Sequence, residues 1–284
     1  GTIFDPQKLS QIKSWTTRYN SGIGYTDSYR RGFATSILYA LRACPCFRQF
    51  SRFHKDSCQR LACNLCKIYK FFEETEQNSN EIHFPLELNV FDRKWILGSP
   101  GDSAEFFTQL MNVLQNEEVE NSHVLQSINP YTSAIGQMFR IESQDKLICK
   151  NCGRQRFVKD GYWSYYLSNR IEKSALSSKP SLLVENCFCD ACGSPFYSTE
   201  EFISELPFIF TIQLNNWDDK FQFRKKHFQA SRYMNLTISN VKYRLCAFTS
   251  YDGTTSEGGK FCTAFLTSSG TWNSMVKGKI NVIN

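Results

Sequence analysis

Apolar positions recur at helical spacing through the first half of the chain and collect into short strand-like runs in the second. Ile37, Leu38 and Leu41 share one face of a predicted buried helix that opens at Gly32 and ends near Ala43, where Pro45 interrupts the pattern. A second helix is predicted from Asp102 to Gln115. There Asp102 caps the start, Glu105 reaches back, and Phe106, Leu110, Val113 and Leu114 form one apolar stripe. Between the two, Ser51 to Ser99 reads as partly helical, with Glu73 to Glu81 polar enough to be an exposed connection.

From Phe139 onward the texture changes. Arg156-Phe-Val158, Trp163-Ser-Tyr-Tyr-Leu167, Phe208-Ile-Phe-Thr-Ile-Gln-Leu214, Tyr243-Arg-Leu-Cys-Ala-Phe248 and Phe261-Cys-Thr-Ala-Phe-Leu266 are β-rich runs divided by turn residues. A helical first part followed by a largely antiparallel second part is an α+β arrangement. No repeat and no low-complexity segment breaks it. The expectation is therefore a single domain over 1–284, helical over about 1–125 and β-rich over 126–284.

Composition narrows the class. At 284 residues with 41% hydrophobic and 21% charged positions, the chain can bury a sizeable core and is not a mainly disordered sequence. Its longest apolar stretch, Leu206 to Leu214, falls far short of the roughly twenty residues of a membrane span. Gly1-Thr-Ile-Phe-Asp-Pro has neither an initiator Met nor a charged-then-apolar leader, so it reads as an internal boundary of a longer protein. A net charge of +6 is mildly basic and disfavours nucleic acid as the main partner. The exception is Trp217 beside Lys220, Arg224, Lys225 and Lys226, where an aromatic interleaved with cations could stack bases; a β-hairpin edge is the plainer reading.

The strongest chemical signal is a matched pair of turns. Cys149-Lys-Asn-Cys152 and Cys189-Asp-Ala-Cys192 are two CxxC units, each followed by Gly, as at a zinc knuckle. Four thiolates complete a tetrahedron and leave no open position for a catalytic water, so the expected cofactor is structural Zn²⁺ on Cys149, Cys152, Cys189 and Cys192. Cys187 could replace one ligand. His54, Cys58, Cys63 and Cys66 form a weaker set on a probable helix: a second metal site, or cysteines filling core positions. Cysteines used this way suit a reducing compartment, nuclear or cytoplasmic.

The order of these features resembles the ubiquitin-specific protease family from about Gly24 to the C-terminus. Gly32-Phe-Ala-Thr-Ser-Ile-Leu-Tyr-Ala-Leu41, then Cys44-Pro-Cys-Phe-Arg-Gln-Phe50, is similar to the box in which a cysteine opens a helix, read roughly as CFMNSVLQAL followed by CPPFR. Gly101-Asp-Ser-Ala-Glu-Phe-Phe107 is similar to the QDAHEFL box. Ile203 to Leu214 resembles the strand after the zinc-holding fingers, Gly258-Gly-Lys-Phe261 stands where the family has GGHY, and Trp272 stands before the final acidic position. The resemblance implies a papain-like cysteine protease superfamily fold of USP type, with a thumb over about 1–125 and palm and zinc-bearing fingers over 126–284. Ubiquitin or a relative would be the ligand class.

Set against that family, the nucleophile position falls on Gly32, the base on Lys260 and the orienting residue on Val276, while Asp27 stands where an oxyanion donor is needed. The expectation drawn from these replacements is a pseudoenzyme, with no catalytic residue and no enzymatic activity. It would serve as a protein–protein interaction scaffold in a larger assembly, by analogy an RNA-processing complex. A non-hydrolysing binder of ubiquitin or a ubiquitin-like protein and a nucleic-acid-binding zinc module are the alternatives. Lys260 and Arg30-Arg31, placed where a diglycine tail would pass, lean toward the scaffold.

Overall fold

The computed structural model describes residues 4–14, 31–77, 82–95, 99, 101–121, 129–168, 182–184, 188–195, 197–215, 233–253 and 259–283. Asp27, Arg30, Cys187, Trp217, Lys220, Arg224, Lys225 and Lys226 lie outside the described residues. The described residues divide into two compact units, one of residues 1–138 with 245–284 and the other of residues 139–244.

In the first unit the helices are α1 (Pro6–Lys13), α2 (Gly32–Arg42), α3 (Pro45–Ser57), α4 (Asn64–Glu76), α5 (Ser103–Asn121) and α6 (Ala134–Phe139), the last ending at the first residue of the second unit. α2 is the organising element. It buries Phe33, Ala34, Thr35, Ser36, Ile37, Leu38, Tyr39, Leu41 and Arg42, which is burial nearly all round, as for a helix enclosed by its neighbours. Each large apolar side chain among them is worth roughly 1.5–3 kcal/mol relative to an exposed one.

The neighbours include α3, α5 and the antiparallel strands β9 (Ala247–Asp252) and β10 (Lys260–Leu266). These strands belong to a sheet of order β12-β11-β10-β9, completed by β11 (Trp272–Val276) and β12 (Lys279–Ile283). The seam between helix and sheet is fixed by Thr263, whose buried hydroxyl donates to the Ser36 carbonyl at 2.9 Å. One turn nearer the helix start, the rings of Phe33 and Phe261 stand 6.5 Å apart.

α2 ends at Arg42 with Ala43 as its C-cap, as expected. Pro45 itself sits at the start of α3, where its missing N–H is not needed and its fixed φ suits the first turn, so α2 and α3 are separated only by a corner at Ala43 and Cys44. The segment from Glu73 departs from the expected connection, because α4 continues to Glu76 and Thr75 is buried. Glu76 accepts from Arg42 at 3.3 Å and also pairs with Arg48. Both arginines are almost wholly buried. Burial, reinforced by the charge of Arg48 and opposed by Glu76, holds Arg42 down at about 10. In α5, Asp102 caps as expected, its carboxylate accepting from the amides of Ala104 at 2.8 Å and Glu105 at 2.9 Å. The Glu105 side chain pairs with Lys94. The apolar stripe is Phe106, Phe107, Leu110, Met111 and Leu114, with Val113 only half-buried.

The second unit is built on a sheet of order β2-β1-β5-β4, from β1 (Ile141–Cys149), β2 (Gln155–Tyr162), β4 (Leu182–Val184) and β5 (Tyr197–Glu205), all antiparallel. A parallel pair, β3 (Tyr165–Ser168) with β6 (Ile212–Asn215), and a hairpin of β7 (Asn235–Ile238) and β8 (Val241–Arg244) accompany it. Ile141, Tyr165, Leu236 and Ile238 form its buried cluster, with Phe210 and Tyr243 packed against them. The run Tyr243 to Phe248 is not one strand: β8 ends at Arg244 and β9 starts at Ala247. The α+β class expected from the sequence is the one found. No described helix is long and apolar enough to cross a membrane.

Candidate metal centres and the family cleft

The two CxxC turns are near copies. In each, the first cysteine's carbonyl accepts from the following glycine, Gly153 N–H to Cys149 at 2.9 Å and Gly193 N–H to Cys189 at 2.8 Å. The first cysteine's own amide donates across the turn, to Arg154 at 2.9 Å and to Ser194 at 2.9 Å. Closing these turns needs a left-handed residue, and Gly153 (φ 73°) and Gly193 (φ 70°) supply it. Cys149 ends β1, and β1 pairs with β5 so that Cys149 lies opposite Tyr197, a few residues past the second turn. Sheet register therefore brings the two turns face to face.

The sulfurs of Cys149 and Cys192 lie 3.6 Å apart, and those of Cys152 and Cys189 lie 3.7 Å apart. A tetrahedron with Zn–S bonds of about 2.3 Å has edges of about 3.8 Å, so the spacing fits zinc. All four ligand atoms fall within 4.8 Å of one another. A hydrogen bond from the Tyr197 hydroxyl, followed by backbone amides, lowers the Cys189 thiol to about 6, toward the thiolate a metal requires. Arg154 and Asp190 pair at 3.3 Å between the turns.

His54, Cys58, Cys63 and Cys66 also present their ligand atoms within 4.8 Å. The set does not lie along one helix, as the sequence suggested. It is spread over the α3–α4 turn: His54 in the last turns of α3, Cys58 at its C-cap, Cys63 at the N-cap of α4 and Cys66 in its first turn. His54 Nε2 is 3.1 Å from Cys63 Sγ. Burial lowers the imidazole and raises the Cys63 thiol, so both stay neutral here; neutral imidazole is the form that ligates zinc. Glu117 on α5 supports the turn from outside, accepting from the Asn64 amide at 3.2 Å and its side chain at 2.8 Å.

The positions assigned to the family's chemistry lie in the first unit. Gly32 is the first residue of α2, Lys260 starts β10 and is exposed, and Val276 ends β11 opposite Cys262. Phe33 and Phe261 are packed together one residue inside Gly32 and Lys260, so these two stand at the same end of the seam. Arg31, just before Gly32, lies with its guanidinium 5.3 Å from the Phe84 ring centre. Gly259 approaches Tyr251 so closely that an added Cβ would meet the ring at 2.1 Å, and its amide donates to the Tyr251 hydroxyl at 2.8 Å.

The sequence matches the family model described as ubiquitin carboxyl-terminal hydrolase over residues 24–284. No curated protein matches it. Among solved structures, the yeast SAGA DUB module aligns with TM-score 0.69 and 18% identity, over 95% of this chain and 66% of that one. The Ubp8/Sgf11/Sus1/Sgf73 module bound to monoubiquitin gives 0.68 and 17% over the same shares, and the module bound to ubiquitin aldehyde gives 0.64 and 16%, over 95% and 67%. The chain thus spans about two thirds of the length of these relatives. The expectation that it is not an enzyme is corrected by the family match: the matching model is that of a hydrolase family and runs through Gly32, Lys260 and Val276. The structure also places an imidazole and a thiol in contact at His54 and Cys63, within the second metal set named from the sequence. Over nearly its whole length, the chain belongs to the ubiquitin carboxyl-terminal hydrolase family.

Proposed function

We propose that this domain is a protein-recognition component of a multi-subunit assembly, engaging a protein partner through its cysteine-pinned fingers. The observation that carries the reading is on the second unit. Phe157 on β2 is 54% exposed and Phe188, immediately before Cys189, is 67% exposed. Large aromatics held outward on a sheet braced by cysteine turns are the kind of anchor that protein interfaces use. Structural zinc on Cys149, Cys152, Cys189 and Cys192, and a second ion on His54, Cys58, Cys63 and Cys66, would hold the two units' turns in place.

The solved relatives support an assembly, since they are modules of Ubp8 with Sgf11, Sus1 and Sgf73. None of these relatives is named for RNA processing, so the setting suggested by analogy gains no support from them. A second reading, ubiquitin or a ubiquitin-like protein as ligand, is favoured by the relatives bound to monoubiquitin and ubiquitin aldehyde. A nuclear or cytoplasmic location suits described cysteines none of which is in a disulfide.

Affinity purification of the full-length protein beside its Phe157→Ala/Phe188→Ala form tests the first reading. Partners retained by the parent and lost by the variant support it, and equal recovery removes it. Heteronuclear NMR titration with ubiquitin tests the second: saturable shifts below millimolar support it, and their absence removes it.

A further inference from the structure

Four described cysteines of the first unit belong to neither metal cluster: Cys44, Cys46, Cys246 and Cys262. Cys44 is the corner between α2 and α3, and Cys246 lies just before β9. Their sulfurs stand 3.3 Å apart across 202 residues of sequence. Both backbones are tied down. The Cys44 amide donates to Leu41 at 3.0 Å and its carbonyl accepts from Arg48 at 3.1 Å, while the Cys246 carbonyl accepts from Leu266 at 2.9 Å.

A disulfide has an S–S bond of about 2.05 Å, so this pair needs a closing movement of about 1.2 Å, within the reach of side-chain rotation. Cys44 is buried and Cys246 only partly so, which gives a reagent access from one side. We propose that Cys44 and Cys246 form a reversible thiol–disulfide site, closed by a small-molecule disulfide such as oxidised glutathione, that fastens the α2–α3 corner to the strand entering the C-terminal sheet.

The exchange balances in two steps. The Cys246 thiolate attacks one sulfur of the reagent, forms a mixed disulfide and expels one glutathione thiolate. The Cys44 thiolate then attacks the Cys246 sulfur and expels the second. The protein has lost two electrons and two protons, and the reagent has become two thiols. The hydrogen bond with the Cys246 sulfur, and then burial, raise the Cys44 thiol, and burial raises Cys46 to about 12, so neither is the entry point. The link would fix α2 against the sheet at the end remote from Gly32, and would open again under reducing conditions.

The test uses the full chain loaded with zinc, exposed to oxidised glutathione, quenched by alkylation and mapped by peptide mass spectrometry. The expected result is a Cys44–Cys246-linked peptide that disappears with dithiothreitol. It persists in Cys46→Ser and is absent from Cys246→Ser. Recovery of Cys44 and Cys246 as separately alkylated peptides after that exposure would overturn the proposal. So would a link from Cys246 to Cys46 or to a metal-cluster cysteine. Mapping the parent protein needs no variant to fold.

Discussion

The Thr263 hydroxyl donates to the main-chain carbonyl of Ser36 at 2.9 Å, joining β10 to the middle of α2 across 227 residues. Thr263 and Ser36 are both completely buried, so the bond is made where no water can replace it. Thr263→Val keeps the shape and removes the donor. It should lower stability by about 1 kcal/mol. Urea denaturation would show this as a lower midpoint at unchanged slope, and an unaltered midpoint would mean the seam does not depend on the bond.

Glu76 pairs with both Arg42 and Arg48. Glu76→Gln would remove a carboxylate charge that faces two buried guanidinium groups. Breaking a buried pair this way costs about 3 kcal/mol or more. The same measurement should show a loss well above that of Thr263→Val, with the α2–α3–α4 packing affected first.

Glu118 on α5 accepts from the amides of Ala134 and Ile135, the latter at 3.1 Å, capping the start of α6. Burial raises its carboxyl to about 7 from 4.5, against the lowering effect of those two amides. A carboxyl raised on folding favours the protonated native state. Its stabilising contribution is therefore complete below pH 4.5 and is lost as pH rises to 7. Glu118→Gln should flatten this part of the stability–pH curve, as read by thermal melting at several pH values, and leave the rest of the curve unchanged.

Metal analysis of protein prepared in zinc should give about two ions per chain, one for each cluster. Cys149→Ser or Cys189→Ser should each remove one and loosen the second unit. Cys63→Ser should remove the other. A chelator should lower the melting temperature of the parent, because zinc bound only by the folded state adds its binding energy to stability. One ion left in Cys149→Ser, one in Cys63→Ser and none in the double variant would identify the α3–α4 turn as a metal site in its own right.

How much of this was legible in the sequence depended on whether the signal was local. α2 could be read because its apolar spacing is continuous, and Asp102 because capping needs only its own first turn. The CxxC turns declared themselves through cysteine and glycine spacing, although their meeting depends on the register that sets Cys149 against Tyr197. Pro45 marked the end of α2 correctly, but the start of α3 at the same residue went unread, since a residue that stops one helix can begin the next. Glu76 looked like part of a solvated connection, since its two partners lie 34 and 28 residues earlier in the chain and nothing nearby reveals them. The break at Leu245 and Cys246 was hidden in a run of uniformly strand-like residues. For the family cleft, Gly32, Lys260 and Val276 could be located from motif order, but the identity of three residues did not decide what the domain does.

The most direct test is native mass spectrometry of the full-length protein purified from its own cells. A complex in which this chain is accompanied by other subunits at fixed whole-number ratios, and which falls apart when Phe157 and Phe188 are replaced by alanine, is the predicted result. A species with the mass of the lone chain and its metals, unaltered by those substitutions, would contradict the assembly role.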